Sequence, residues 1–504
     1  MKLSSYFFLS AFISVSAFFY PFFSLMSGES RALFTEELIS RAELFVTEKF
    51  KEADIPGGVF GIAEEDKTVL KKGIGFSAAE GGRNFDEGTV FNAGTLSRQF
   101  TALKARKLIE EGKLKPDARV TEYIPEWKLG GKGKENYVLV RHLIDSCSLL
   151  EPFHDRIVHS PDGSLFFSFR DMLPSFADLN VLDSPDDVYK ESSLNYILLG
   201  EILKRISGRK KFSEIIQTDI FAPLFMNEST FEQRSISRNR SAHYSYFFGK
   251  RSELQFAETP LIAESSEKVF TNLNDLLKYL LFCIKDESDV LKYTSVAQLR
   301  KAAALNGRNG EPFYGSGWFH SELLGQKYMF FSGKGAGSSI FLFYYPERKS
   351  AFVIAGNLEA ESSMREIGEG VISILFGVAP KNPRPPYRKL LGMFCFVLIL
   401  GAVMSVYALG FKIDRLYSPD FISTGPSKEN TVGFAVSMAV FVLLFWTSFR
   451  VLPYHTLLTE YTSEIRQSAM FGWVPELFYA SVALVILSFL WMVYSGLVLI
   501  RNSR

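Results

Sequence analysis

Cysteine is scarce in this chain, with three in 504 residues, and histidine is nearly as rare, with six. Cys147 and Cys283 lie far apart in sequence and Cys395 lies in an apolar run, so neither a disulfide framework nor a cysteine metal site is indicated. The histidines show no metal-ligand spacing such as His-Glu-x-x-His, and no glycine loop of the phosphate-binding kind occurs. We therefore predict no metal and no cofactor.

An excess of charge of one sign is also missing. The chain has 56 basic and 55 acidic residues, which give a formal net charge of +1. Proteins that bind nucleic acid carry a basic patch or stripe that attracts the phosphates. The balance therefore gives no electrostatic reason to expect nucleic acid as a partner.

Long apolar runs, in contrast, are abundant. Four stretches contain no charged residue, at 3–28, 390–411, 431–449 and 477–500. Each of the last three has about 20 residues or more, enough to cross a hydrocarbon core about 30 Å thick. The alternative is a buried core helix, but such helices rarely recur three times with polar loops between them. We predict three transmembrane helices within 390–504, with the lipid bilayer as a partner.

The first apolar stretch decides on which side of the membrane the next domain lies. Residues 1–29 have a charged start at Lys2 and an apolar body, the pattern of a secretion signal, although 24–28 make a weak cleavage site. We predict a signal peptide or a signal anchor. The following domain then lies on the extracytoplasmic side of a multi-pass cell-membrane protein. Lysines and arginines near the later stretches fit the positive-inside bias only weakly, so the orientation depends on the N-terminal segment.

Residues 30–380 show the patterns of one mixed domain. Apolar periodicity predicts four helices, at 30–53, 95–112, 195–208 and 362–376. Alternating patterns predict a hairpin of two strands and then two further strands, at 55–63, 68–76 and between 328 and 357. The proline-containing segment 381–389 is predicted to be a stiff linker to the first membrane span.

Several segments resemble, in the same order, those of one enzyme family. They are Phe91-Asn92-Ala93-Gly94, the helix from Gln99, and residues 140–150, 195–203, 221–226 and 271–276. Together they span roughly residues 50–376, and the set resembles the penicillin-binding-protein and class C β-lactamase family of serine hydrolases. The resemblance implies an α/β (α+β) fold, in which an antiparallel sheet is flanked by helices beside an all-helical lobe. It also implies a catalytic serine, a neutral lysine or tyrosine that takes its proton, and a donor-rich strand.

At the first motif of that family, Thr95-Leu96-Ser97-Arg98 replaces Ser-x-x-Lys. The hydroxyl of Thr95 can attack an acyl carbon, although its methyl group crowds the approach. Arg98 is the harder change, because the pKa of a guanidinium stays above about 12 and leaves no lone pair for a base. Ser97 lies about 200° around the helix from Thr95 and would not face the same site.

The second motif, usually Tyr-x-Asn, is replaced by Glu191-Ser192-Ser193, with Tyr189 two positions early. The resemblance places Glu191 and Ser193 beside the first motif. Glu191 can serve as a general base if burial raises its pKa. A neighbouring arginine has the opposite effect on the pKa of a carboxyl group. We predict a structural Arg98–Glu191 ion pair; the alternative is that both charges are solvated on the cleft rim.

The third motif, usually His-x-Gly or Lys-Thr-Gly, is replaced by Phe331-Ser332-Gly333, followed by Lys334. The resemblance makes these four the substrate-binding positions, but Phe331 cannot donate a hydrogen bond. On a regular strand Lys334 has the opposite parity and points away from the cleft, unless a bulge at the glycines reverses it.

Three functions remain open. The leading one is a membrane-anchored, exported domain that has lost acyl transfer and binds a peptide or cell-wall fragment, or acts as a scaffold. The second is a working acyl hydrolase, of esterase, D-amino peptidase or β-lactamase type, with Thr95 as nucleophile and Glu191 as base. The third gives the function to the C-terminal helices and makes the domain a sensor. The predicted spans contain no charge that would indicate transport, so anchoring is the simpler role.

Overall fold

The computed structural model describes residues 34–381 with several gaps, and parts of the C-terminal region. The gaps are 80, 131–132, 151–167, 180–188, 233–234, 237–238, 248, 255–262 and 286–312. Beyond 381 the described residues are 393, 395–406, 409, 413, 432, 435–436 and 475–502.

Eleven strands are numbered here in chain order. They are β1 Gly57–Glu64, β2 Lys67–Gly75, β3 Phe91–Asn92, β4 Tyr244–Phe247, β5 Lys250–Glu253, β6 Phe270–Thr271, β7 Phe313–Gly315, β8 Trp318–Leu323, β9 Gln326–Gly335, β10 Ser338–Tyr345 and β11 Ser350–Gly356. Seven of them form an antiparallel sheet in the order β2-β1-β11-β10-β9-β8-β7.

The helices are likewise numbered in chain order. They are α1 Glu36–Glu52, α2 Ser97–Glu110, α3 Val120–Tyr123, α4 Val140–Ile144, α5 Phe169–Met172, α6 Ser193–Ser207, α7 Phe212–Ile216, α8 Glu264–Glu267, α9 Leu273–Ile284, α10 Glu361–Leu375 and α11 Pro475–Asn502. Short 3₁₀ or π turns occur at Gly94–Leu96, Lys134–Tyr137, Leu173–Asp178, Gln217–Phe221 and Pro346–Arg348.

Both faces of the sheet are buried, and strand β10 shows why. Its side chains alternate between two apolar cores, because successive residues of a strand point to opposite faces. Ile340 and Leu342 pack in the core that contains α2, α6 and α9, whereas Phe341 and Phe343 pack in the core that contains α1 and α10. The sheet is therefore the middle layer, with the helical lobe on one side and helices α1 and α10 on the other.

Most of the predicted elements are present. The four predicted helices correspond to α1, α2, α6 and α10, and the predicted hairpin to β1 and β2. Helices α2 and α6 are followed by Gly112 and Gly208 in the left-handed conformation, with φ of +70° and +66°. Three strands rather than the predicted two lie between 328 and 357, and the turns that separate them, after Gly335 and at Pro346–Arg348, fall at the two breaks that the glycines and the proline predict.

The predicted antiparallel sheet with flanking helices is confirmed. Within the described residues, no helix reaches the length and apolarity required to cross a membrane. Of the predicted membrane segments, 3–28 lies outside the described residues and 390–411 and 431–449 lie partly or largely outside them; 477–500 falls within α11. The three spans therefore stay a prediction.

Candidate active site

Thr95 lies where the first turn of the helical lobe meets the sheet. It belongs to the 3₁₀ turn that leads into α2, and its side chain is buried, with 4% exposed. The preceding Gly94 has φ of +47°, and a Cβ there would lie 2.1 Å from the Lys334 carbonyl oxygen. Only glycine allows the turn to approach β9 this closely. The backbone N–H of Lys334 then donates to Thr95 Oγ1 at 3.0 Å.

The side chain of Thr95 lies against strand β9. A Cβ added to Gly333 would lie 2.4 Å from Thr95 Oγ1 and 2.5 Å from Cζ of Phe331. The threonine hydroxyl and the phenylalanine ring therefore both lie against Gly333. Among the described residues, no basic side chain hydrogen-bonds to Thr95 Oγ1.

Arg98 lies one turn further along the chain, in α2. All three nitrogens of its guanidinium have polar partners. Nη1 lies 2.5 Å from Glu191 Oε1, and Nη2 donates to Ser193 Oγ at 3.1 Å. Nε donates to the Ser266 carbonyl oxygen at 3.2 Å, and Nη2 lies 3.5 Å from Glu267 Oε1. The predicted Arg98–Glu191 ion pair is thus present, and the alternative of two solvated charges is wrong.

Electrostatics keep this arginine charged. Burial by itself favours the neutral form, and 7% of the side chain is exposed. The carboxylates of Glu191 and Glu267 outweigh burial and raise the pKa of Arg98 above its ordinary value. The guanidinium therefore has no lone pair to offer a hydroxyl.

Glu267 is a member of the site that the sequence analysis missed. It ends the short helix α8, and its carboxylate accepts a hydrogen bond from Ser193 Oγ, the side chain that also contacts Arg98. Burial raises the pKa of Glu267, and Arg98 opposes that rise. No family motif includes Glu267. Its position follows only from the way α8 packs beside α2 and α6.

Tyrosines line the cleft next to the ion pair. The ring of Tyr189 packs on Tyr314 with centroids 4.6 Å apart, and its hydroxyl lies 3.5 Å from Glu191 Oε2. The Tyr314 hydroxyl lies 2.7 Å from that of Tyr196. Burial raises the pKa of Tyr189 and Tyr196 well above the ordinary value and that of Tyr314 to about 12. All three phenols stay protonated near neutral pH, so none is ready to accept a proton.

The third motif forms the opposite wall. Strand β9 keeps a regular register with β10 through Gly335, so Phe331 and Gly333 face Thr95 and Lys334 has the other parity. The Lys334 ammonium group is buried, 3.9 Å from Glu359 Oε1. Ser332 Oγ has no hydrogen-bond partner within the described residues.

A further carboxyl group stands at the start of α10. Burial raises the pKa of Glu361 to about 7, and Lys334 and Arg98 oppose the rise while Glu191 adds to it. Near pH 7 this group therefore exchanges between its neutral and charged forms. Among the described residues no cluster suited to a metal ion occurs.

Comparison with known proteins agrees with this architecture. The family model described as "Beta-lactamase" matches residues 42–373. Protein flp of Staphylococcus aureus (strain NCTC 8325 / PS 47) is 23% identical over 332 residues, 65% of this chain and 64% of the relative. Penicillin-binding protein 4* of Bacillus subtilis (strain 168) is 25% identical over 345 residues, 65% of this chain and 74% of the relative.

A solved structure of a class C beta-lactamase superposes with a TM-score of 0.58 at 17% identity. The superposition covers 69% of this chain and 97% of that chain. At this identity the likeness concerns the fold alone. The matched region of this chain spans less than two thirds of the flp protein, so the activity of that whole protein is not transferred with the match.

Proposed function

Because this chain belongs to the beta-lactamase family, we propose that its domain keeps the family cleft as a binding site and has lost acyl transfer. One observation carries the proposal. The guanidinium of Arg98 stands three residues after the nucleophile position, in an ion pair with Glu191 at 2.5 Å. A group that must withdraw a proton is replaced there by one that cannot.

A general base needs a lone pair within hydrogen-bond reach of the proton it removes. Glu191 is the one carboxylate of the altered motifs, but its Oε1 is directed at Arg98 and its Oε2 lies 3.5 Å from the Tyr189 hydroxyl. The Thr95 oxygen in turn accepts the Lys334 amide hydrogen bond. Thr95 Oγ1, at the nucleophile position, and Glu191 Oε1, at the acid–base position, therefore each contact a group other than one another.

The lining of the cleft supports a polar ligand such as a peptide or a cell-wall fragment. Ligand sites combine apolar or aromatic walls with a few polar groups that fix orientation. Tyr189 and Tyr314 provide the aromatic wall, and Glu191, partly exposed, provides an acceptor beside it. The name of the Bacillus subtilis relative, a penicillin-binding protein, makes a penicillin the natural first probe.

Covalent labelling separates binding from catalysis. We expect a fluorescent penicillin to leave the chain unlabelled under denaturing electrophoresis, while calorimetry with a peptide that ends in D-amino acids detects reversible binding. The control is Thr95→Ala, which should behave like the unchanged chain in both assays. Labelling that disappears in Thr95→Ala would mean that the chain is an acyl hydrolase and that the proposal is wrong.

We further propose that the chain is anchored in the cell membrane with the domain on the extracytoplasmic side. Support comes from the sequence, in which the apolar runs 390–411, 431–449 and 477–500 contain no charge. Extraction of membranes with alkaline carbonate should leave the chain in the pellet. Protease added outside intact cells should remove the domain. Release by carbonate would contradict anchoring without affecting the proposal on catalysis.

A further inference from the structure

Phe225 is the most exposed large apolar side chain of the folded domain, at 71%. Its neighbours Leu224 and Met226 are both buried, so the chain turns this one ring outward between two residues of the core. The residue follows the π turn Gln217–Phe221 and has φ of +58°. An aromatic residue in the left-handed region is uncommon, and glycine adopts that conformation without the clash of a Cβ.

The turn that presents Phe225 is fixed by α9. The ammonium group of Lys278 donates to the Phe225 carbonyl oxygen at 2.5 Å, and it also lies 2.8 Å from Asp275 Oδ1. Asp275, itself buried, accepts the backbone N–H of Glu228 at 2.9 Å. The backbone that carries the protruding ring is thus held by Lys278 at Phe225 and by Asp275 at Glu228.

A shallow depression of about 360 Å³ lies on the same surface, where β2 meets α9. Its polar rim includes two lysines, Lys71, whose ammonium group lies 2.9 Å from Asn274 Oδ1, and Lys278, together with two carboxylates, Glu228 and Asp275. Lys67 at the start of β2 and Lys285 just after α9 are exposed, as are Glu65 and Asp66 in the turn before β2. The face therefore combines one apolar ring with lysines, carboxylates and amide groups.

We propose that this face rests on a lipid surface, with the ring of Phe225 inserted at the boundary between headgroups and acyl chains. Aromatic rings and lysines are the side chains that suit this zone, since each has an apolar body and the lysines attract anionic headgroups. The proposal builds on the membrane anchoring proposed above, which would keep the face near a bilayer.

The area of the contact favours lipid over a protein partner. A phenylalanine buries about 150–250 Å² at most, whereas a stable protein interface buries about 800 Å² on each partner. A single ring surrounded by polar groups is too small for the latter. A weak contact is enough for an anchored domain. Tethering makes the binding of this face to the bilayer intramolecular, which gives it a high effective concentration.

The test places an environment-sensitive fluorophore at this position in the full chain. Phe225→Cys is labelled with a nitrobenzoxadiazole dye, and the unchanged chain, whose Cys147, Cys283 and Cys395 are buried, gives the background. The matched control is Leu324→Cys, because Leu324 is also apolar, 69% exposed and at positive φ, but lies in the turn between β8 and β9. Both chains are measured with vesicles of equal parts phosphatidylcholine and phosphatidylglycerol, with phosphatidylcholine vesicles, and without vesicles.

We expect the dye at 225 to shift to the blue and to be quenched severalfold more by spin-labelled lipid than the dye at 324, most strongly with phosphatidylglycerol. A dye at 225 that stays accessible to aqueous iodide with both vesicle types would overturn the proposal. Shielding without vesicles that grows with protein concentration would instead assign the face to a second copy of the chain. The carbonate extraction tests anchoring alone. Release of the chain by carbonate would contradict the anchoring, whereas an iodide-accessible dye at 225 would contradict the lipid contact.

Discussion

The backbone amide of Lys334 donates a hydrogen bond to Thr95 Oγ1 across 3.0 Å. In acyl transfer, backbone amides at such a site are needed to stabilise the oxygen anion that develops on the substrate. Here that donor is already satisfied by the hydroxyl that would have to attack. The ring of Phe331 lies beside it against Gly333. The first and third motifs therefore contact each other directly, and neither contains the proton-transfer or donor side chain that the family uses there.

Restoring the family residues at the first two of the three altered motifs should not be enough to restore activity. In Thr95→Ser with Arg98→Lys and Glu191→Tyr, the carboxylate of Glu267 remains beside position 98, where it would hold the new lysine in its charged form. We expect no penicillin labelling of this triple variant. Adding Glu267→Gln should allow labelling to appear.

Circular dichroism and thermal melting check that both of these variants fold. Labelling of the triple variant alone would show that Glu267 does not govern the charge at position 98. Absence of labelling in the folded quadruple variant would show that Phe331 or the cleft shape is the remaining obstacle.

Arg98→Met should destabilise the domain by about 3–5 kcal/mol, because it leaves the largely buried Glu267 and the partly exposed Glu191 without their cation. The control is Lys211→Met, which removes one partner of an exposed pair with Glu232 and should cost less than about 1 kcal/mol. Urea unfolding measures both. Equal losses for the two variants would mean that the Arg98 cluster contributes no more than a surface ion pair.

How far the sequence predicted this site depends on how local each contact is. The Arg98–Glu191 pair was predictable, because two segments with family-like spacing identify both residues. Glu267 was not, since it ends a four-residue helix with no motif and reaches Arg98 only through tertiary packing. Tyr189 was placed out of register, yet the fold brings its hydroxyl to 3.5 Å from Glu191. Side chains set by packing between distant elements leave no local pattern.

The same distinction holds for the fold. Strands β1 and β10 were predictable from their apolar residues, which the sheet buries on both faces. Strand β5, Lys250–Glu253, is polar throughout and pairs only with β4, so its sequence resembles that of a loop. Strand β7 has three residues and depends on β8 for its hydrogen bonds. Short strands of this kind are fixed by their partner rather than by their own composition.

Glu361 should make stability fall as the pH rises through neutrality. Its pKa is about 7 in the folded state against 4.5 for an unperturbed glutamate, so the folded state binds the proton more tightly. The contribution is present below about pH 4.5 and is lost as the pH approaches 7. We expect the unchanged chain to lose about 1–3 kcal/mol relative to Glu361→Gln between about pH 5 and pH 8, after allowance for screening of this half-buried group. Parallel stability curves from urea unfolding would contradict this.

Gly94→Ala should destabilise the domain by about 3 kcal/mol or more, because a Cβ there meets the Lys334 carbonyl oxygen at 2.1 Å in a left-handed backbone. Gly112→Ala is the matched control. Gly112 also has positive φ, but nothing lies within 4 Å of its Cβ position, so only the backbone cost of about 1 kcal/mol remains. Chemical denaturation compares the two. Similar losses would mean that the turn before α2 does not approach β9 as closely as described.

Phe225→Gly should stabilise the fold even though it removes a large side chain. The left-handed backbone at φ of +58° costs a residue with a Cβ roughly 1–2 kcal/mol, and glycine removes this cost. Glycine also makes the unfolded chain more flexible, which offsets about 0.4–1 kcal/mol of the gain. Because the ring is 71% exposed, little packing is lost, and a net gain of about 0.5–1 kcal/mol is expected. Leu324→Gly, at φ of +53°, should gain a similar amount. Unfolding of both variants in urea measures the gain, and a loss of stability in Phe225→Gly would show that the ring packs on the domain instead of projecting from it.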